Sequence, residues 1–164
     1  MKFLVDAMLG KLARFLRMFG YDTLYANDLV ELFNKDPVSD DNLLAYAKET
    51  NRIIITKDYP FYKRCNGKAI YLKGKGVYNY LRQLKEMLKL DFEFNIETAR
   101  CSVCNSKLKK VKEKNIVKDL VLQDTFNQYN DFYQCINLQC KKIYWKGSHI
   151  EDIENRLEKN SIRD

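Results

Sequence analysis

Lys2-Phe3-Leu4-Val5-Asp6, followed at once by the run from Met8 to Phe19, is the stretch on which the fold turns. Phe3, Leu4 and Val5 form a short apolar, partly β-branched run of the kind used at the centre of a parallel sheet, and Asp6 interrupts it where the strand should end. Met8, Leu9, Leu12, Leu16 and Phe19 then recur at helical spacing, with Lys11, Arg14 and Arg17 towards the other side and Gly20 as the stop. Asp22 to Ala26 reads as a second strand. Two strands joined by one such helix make a right-handed βαβ unit, so the sheet is expected to be parallel. Ligands of such sheets sit beyond the carboxyl ends of the strands, so Asp6 is placed to hold a metal or act on a substrate. The same position also suits a plain helix N-cap.

Working outward, 27–38 should hold no long helix, and Pro37 ends it. A second helix starts near Ser39 or Asp40 and runs to about Thr50, with Asp40 and Asp41 in its first turn. Arg52 to Thr56 is the clearest buried strand, and Lys57-Asp58 follow it directly, bringing a second carboxylate to a strand end. Tyr59 to Tyr62 suggests a helical turn, Ala69 to Leu72 a fourth strand, and Val77 to Leu88 a helix after the turn Gly74-Lys75-Gly76. That Gly-Lys-Gly lacks the spacing of a phosphate loop. The pattern changes after Leu90, which divides the chain into a first domain over 1–95, a cysteine-bearing segment over 96–150 and a terminal helix over 151–164.

The net charge is +7, and ten lysines and arginines against four acids fall within 99–150. A polyanion is the natural partner of such a field. The apolar run near the start is too short for a signal peptide and nothing later approaches a membrane span, so a cytoplasmic, membrane-free protein is expected. Cysteines there are not expected to be paired as disulfides. Cys101-Ser102-Val103-Cys104 and Cys135 with Cys140 form the pair-of-pairs of a four-thiolate zinc ribbon, the second pair longer than the usual spacing. A segment of this size scarcely builds its own core, so structural Zn²⁺ should hold it, and chelation should unfold it before the rest. Cys65 is expected to be a small apolar filler, and His149 a reserve ligand or an RNA contact.

Asp6 and Asp58 at strand ends and Asp40 at a helix start are expected to share the carboxyl edge of one sheet. Each could be a cap or turn residue; as a cluster they would repel one another unless Mg²⁺ or Mn²⁺ neutralised them, and such ions activate water against a phosphodiester. The chain also resembles the C-terminal RNase module of the Mut-seven exonucleases, a PIN-like nuclease domain carrying its own zinc ribbon. The resemblance lies in Asp6 to Arg17, Gly20 to Thr23, Asp40 with Leu43-Leu44, Thr56-Lys57-Asp58, the two cysteine pairs, and Tyr144 to His149. The chain departs from that pattern at Asn42, at Tyr59 and in the stretched second pair.

The resemblance implies a PIN-like three-layer α/β fold with a central parallel sheet and a small C-terminal zinc ribbon. It further implies metal-dependent RNA cleavage, with Asp6, Asp40 and Asp58 as the acids that bind metal and a fourth among Asp41, Asp36 and Asp28. RNA would lie across the acidic edge, its phosphates held by Lys11, Arg14, Lys57, Lys107, Lys109, Lys110, Lys112 and Lys114. Tyr129, Phe132, Tyr133, Tyr144 and Trp145 either stack bases or, for most of them, fill the ribbon's small core. A second expectation from another class is a non-catalytic RNA-binding or assembly module. A third gives the basic ribbon to protein partners in an RNA-processing complex.

Overall fold

The computed structural model describes residues 1–161, and of 149, 158, 160 and 161 the backbone alone. Its first part runs β1 (Lys2–Val5), α1 (Gly10–Met18), β2 (Asp22–Tyr25), α2 (Val30–Phe33), α3 (Asp40–Glu49), β3 (Ile53–Thr56), α4 (Tyr59–Arg64), β4 (Ala69–Tyr71) and α5 (Val77–Leu88). The strands form one sheet in the order β2-β1-β3-β4, every pair parallel.

Alternation along each strand splits the apolar side chains between the two faces of this sheet. Phe3, Val5, Ile55 and Ile70 meet Leu12, Ala13 and Leu16 of α1 and Leu81 and Leu84 of α5 on one side. Leu4 and Ile54 meet Leu43 and Ala47 of α3 and Phe61 of α4 on the other. The result is the expected three-layer α/β arrangement. Connections leave β1 towards β2 on one side and the chain returns to β3 on the other, so the strand order reverses between β1 and β3. That reversal leaves a crevice at the carboxyl ends of those two strands.

Local structure follows the sequence closely, with small differences. The first helix opens with a 3₁₀ turn over Ala7–Leu9 before α1 begins. Gly20 stops it at φ +86°, where a Cβ would also stand 3.0 Å from the Thr98 carbonyl oxygen. Ser39 caps α3 by accepting from the Asn42 amide. The larger correction concerns Arg17, which the helical pattern assigns to the polar side of α1. It is 2 % exposed.

The second part holds β5 (Leu108–Lys110), α6 (Gln123–Gln128), β6 (Tyr133–Cys135) and β7 (Ile143–Tyr144), a three-stranded antiparallel sheet in the order β5-β6-β7. The terminal α7 (Ser148–Ser161) returns to the first part, where Ile153 joins the core beside α1 and α5 and Leu157 packs against it. Among the described residues no helix is long and apolar enough to cross a membrane.

Candidate active edge and thiol cluster

Asp6 continues the β1 ladder by one bond, its amide donating to the Ile55 carbonyl at 3.0 Å. Its side chain makes no cap to the turn that follows. Instead the hydroxyl of Thr56 donates to Asp6 Oδ2 at 2.6 Å, and the same hydroxyl accepts from the Asp58 amide at 2.9 Å. Thr56 is fully buried. One side chain thus ties together the two strand ends that flank the crevice. The sequence marks it only as a hydroxyl closing an otherwise apolar strand.

Asp58 does act as a cap: its Oδ1 accepts from the Phe61 amide at 2.9 Å and so starts α4. Asp40 begins α3 across the crevice. Burial raises its carboxyl above the usual range, Arg64 pulls it down, and the charges of Asp58, Asp6 and Asp41 push it up again. Asp6 and Asp58 thus lie near enough to Asp40 to raise it, while among the described residues only the four thiols gather within ligand distance of one another. Arg64 offsets part of this rise, with Nη1 3.2 Å from Asp40 and Nη2 on Asp41. Asp41 is the more solvent-exposed of the two, at 82 % against 44 %. Of the other acids, Asp28 is bound to Arg17 and to the Tyr25 amide, while Asp36 is exposed beside Pro37.

The expected phosphate-binding side chains fall on different surfaces. Lys11 and Arg14 are exposed on α1, with Lys11 Nζ 5.9 Å from the centre of the Phe15 ring. Lys57 turns towards α5, 5.6 Å from the Tyr80 ring. Lys107, Lys109, Lys110 and Lys112 are exposed on and beside β5, and Lys110 pairs with Asp131 at 2.7 Å. Lys114 is half-buried over the Phe126 ring at 4.7 Å.

The four ribbon cysteines converge, every Sγ lying within 4.8 Å of the others. Cys101 stands 3.6 Å from Cys140, and Cys104 3.4 Å from Cys135. Tetrahedral Zn²⁺ with bonds near 2.3 Å needs sulfurs about 3.8 Å apart, so the cluster fits that ion. Burial pushes the Cys104 thiol up, yet Ser106 and the neighbouring thiols bring it down to about 6, while Cys135 and Cys140 are held high. Such thiols ionise together only around a cation.

The long second spacing has a structural reason. In the first pair the turn closes from the Cys101 carbonyl to the Asn105 amide, with Asn105 at φ 63°. In the second the equivalent turn closes from Asn137 to Lys141, at φ 50°, so Cys140 lies on the turn and Cys135 reaches in from the end of β6. Tyr144 serves the thiols and does not merely fill the core: its hydroxyl lies 3.1 Å from Cys101 Sγ and accepts from the Ser102 amide. Phe132 and Tyr133 are buried, and Tyr129 and Phe132 pack on Trp145, as core aromatics do. Cys65 is a buried thiol donating to the Phe61 carbonyl. The side chain of His149 lies outside the described residues.

The ribbon docks on the parallel sheet through buried polar groups. Arg17 donates to Thr23 O at 2.8 Å, to Ser102 O at 3.1 Å and to Val103 O at 2.9 Å, and also binds Asp28. Asn105 accepts from the Thr23 amide at 3.0 Å and donates to Asp22 Oδ1 at 2.9 Å, which covers the open edge of β2.

No curated protein and no solved structure matches the chain. The sequence profile of the Mut7-C RNAse domain does match, over residues 1–157, and an RNase domain implies RNA as its substrate class. That span takes in the whole parallel sheet, the acids of its carboxyl edge and all four clustered thiols, and the chain belongs to the Mut7-C RNAse domain family.

Proposed function

We propose that the protein is a metal-dependent ribonuclease whose site is the carboxyl edge between β1 and β3, with Asp6, Asp40 and Asp58 as its acids. The observation that carries this reading is the Thr56 hydroxyl, which donates to Asp6 Oδ2 and accepts from the Asp58 amide and so holds two of the acids at neighbouring strand ends. Three hard oxygen donors of like charge fit Mg²⁺ or Mn²⁺, which would supply an activated water and stabilise charge on the phosphate. Thr56 orients Asp6, and α4 holds Asp58 in place through its cap. Arg64 offsets part of the charge on Asp40 and Asp41.

In this reading 1–95 is the nuclease domain, 96–150 a zinc ribbon and 151–164 a terminal helix. Lys11, Arg14 and Lys57 hold phosphates near the edge, and Lys107, Lys109, Lys110 and Lys112 supply a sequence-independent, salt-sensitive grip. A second reading, a non-catalytic RNA-binding or assembly module, takes support from the fact that each acid already has a protein partner.

Cleavage of end-labelled single-stranded RNA with Mn²⁺, Mg²⁺ or EDTA separates the two, comparing the native chain with Asp6→Asn. The expected result is metal-dependent cleavage that the variant loses while keeping its fold and its RNA affinity. RNA binding by both proteins with cleavage by neither would transfer the assignment to the binding module.

A further inference from the structure

A cavity of about 400 Å³ opens between α3, the start of β3 and the end of α4. Its volume lies in the range of small-ligand sites, roughly 300–1,000 Å³. Leu44, Ala47 and Ile54 give it apolar walls, and Lys48, Arg52, Arg64 and Lys68 surround it with no acid in the lining.

Helix ends explain only half of these cations. Lys48 and Arg64 occupy the last turns of α3 and α4, where the helix dipole favours positive charge. Arg52 and Lys68 lie outside any helix. Arg52 spends Nη1 on Asp22 and the Phe3 carbonyl, while its Nε is buried without a partner. Among the described residues neither Lys48 nor Lys68 has a carboxylate partner. Arg52 and Arg64 are paired with Asp22 and with Asp40 and Asp41, so the uncompensated charges at the cavity are those of Lys48 and Lys68, which a bound anion would meet.

The cavity lies at the amino end of β3, and α3 and Arg64 join it to the acidic edge at the carboxyl end. Arg64 lines the cavity and reaches Asp40 at 3.2 Å. Cys65 lines it too, and its thiol is raised by burial first and then by the charge of Asp40. Asp40 and Lys48 are eight residues apart on α3, about 12 Å along its axis, so a strand that crosses the acids and continues along this helix reaches the basic seat.

We propose that the cavity is a subsite for a nucleotide phosphate of the RNA strand engaged at the acidic edge, the sugar and base resting on the apolar walls. It rests on the ribonuclease reading above. It would make the nuclease half an RNA-binding surface in its own right, separate from the lysines of the ribbon.

The test uses the full chain carrying Asp6→Asn and the anisotropy of a labelled single-stranded decaribonucleotide over a salt series. Lys48→Glu with Lys68→Glu should weaken binding at least tenfold. Lys48→Ala with Lys68→Ala, safe for folding at two exposed positions, should lower the slope of log affinity against log salt by about 1.4, two contacts at about 0.7 each. Lys85→Glu with Lys159→Glu, the same charge change elsewhere, should leave affinity within twofold.

Competition by 5′-AMP that the Lys48/Lys68 variants lose would show that a single nucleotide fills the seat. RNA loss without such competition would assign it to a phosphate within the strand. Equal weakening by both charge reversals, or by neither, overturns the subsite. Residual cleavage by the Asp6→Asn chain would instead overturn the acidic site, whatever the binding data.

Discussion

The four thiols and the three carboxylates of the proposed site are held in opposite ways: among the described residues only the thiols gather within ligand distance of one another. Each knuckle turn aims its thiol from the backbone, with Asn105 and Lys141 in the left-handed region closing the turns, so the sulfurs already stand at ion-binding separation. The carboxylates are each held by another group of the protein: Thr56 for Asp6, the α4 amides for Asp58, Arg64 for Asp40. The thiol cluster is part of the architecture, whereas the proposed hard-donor site on the sheet edge would keep exchangeable partners.

The largest expected effect comes from removing the ion of the first cluster. Structural zinc contributes roughly 10 kcal/mol of folding free energy to small ribbons, so a chelator or Cys104→Ser should unfold 96–150. The sequence alone suggests that this segment would unfold before the rest. Docking by Arg17 and Asn105 predicts otherwise: the parallel sheet should melt at lower temperature in the same transition, followed by far-ultraviolet circular dichroism. A first domain whose melt ignores the chelator would break the comparison.

Next in size is the joint itself. Arg17→Met leaves Asp28 and three carbonyls without their donor, and breaking a buried pair of this kind costs about 3–5 kcal/mol, measurable by denaturant unfolding. Acid should loosen the same joint. Burial pushes the Asp22 carboxyl up, but hydrogen bonds from Arg52 and Asn105 and the charges of Arg52 and Arg100 outweigh it and hold it low. A depressed carboxylate stabilises the fold above its unfolded value near 3.9, and that contribution is lost as the pH falls through the folded one. Asp22→Asn should therefore flatten the acid limb of stability below about pH 4.

The smallest effect on stability, and the one that sharpens the catalytic half, is Thr56→Val. Losing the hydroxyl should cost about 1–3 kcal/mol and, by releasing Asp6, lower cleavage some 10–100-fold, while Thr56→Ser should keep most of both. Cleavage that is unchanged in the valine variant would remove Thr56 from the site.

Local pattern carried much of this to the page before any packing was known. Strand-ending acids, helical spacing in α1 and paired cysteines are readable because strand alternation, helix periodicity and knuckle spacing are each encoded within a few residues. The charge balance likewise placed the basic excess on the cysteine segment. What the pattern misassigned was Arg17, since helical spacing reports the face of a residue but not what later covers that face.

The sequence by itself determined the parallel sheet and the four cysteines that cluster beside it. Only the tertiary structure decided their partners. Thr56 meets Asp6 across 50 residues and Arg17 meets Ser102 across 85, separations at which no local period operates. The basic cavity is of the same kind, because Lys48, Arg52, Arg64 and Lys68 come from two helices, the edge of a strand and a turn that become neighbours only when α3 and α4 pack on one face of the sheet.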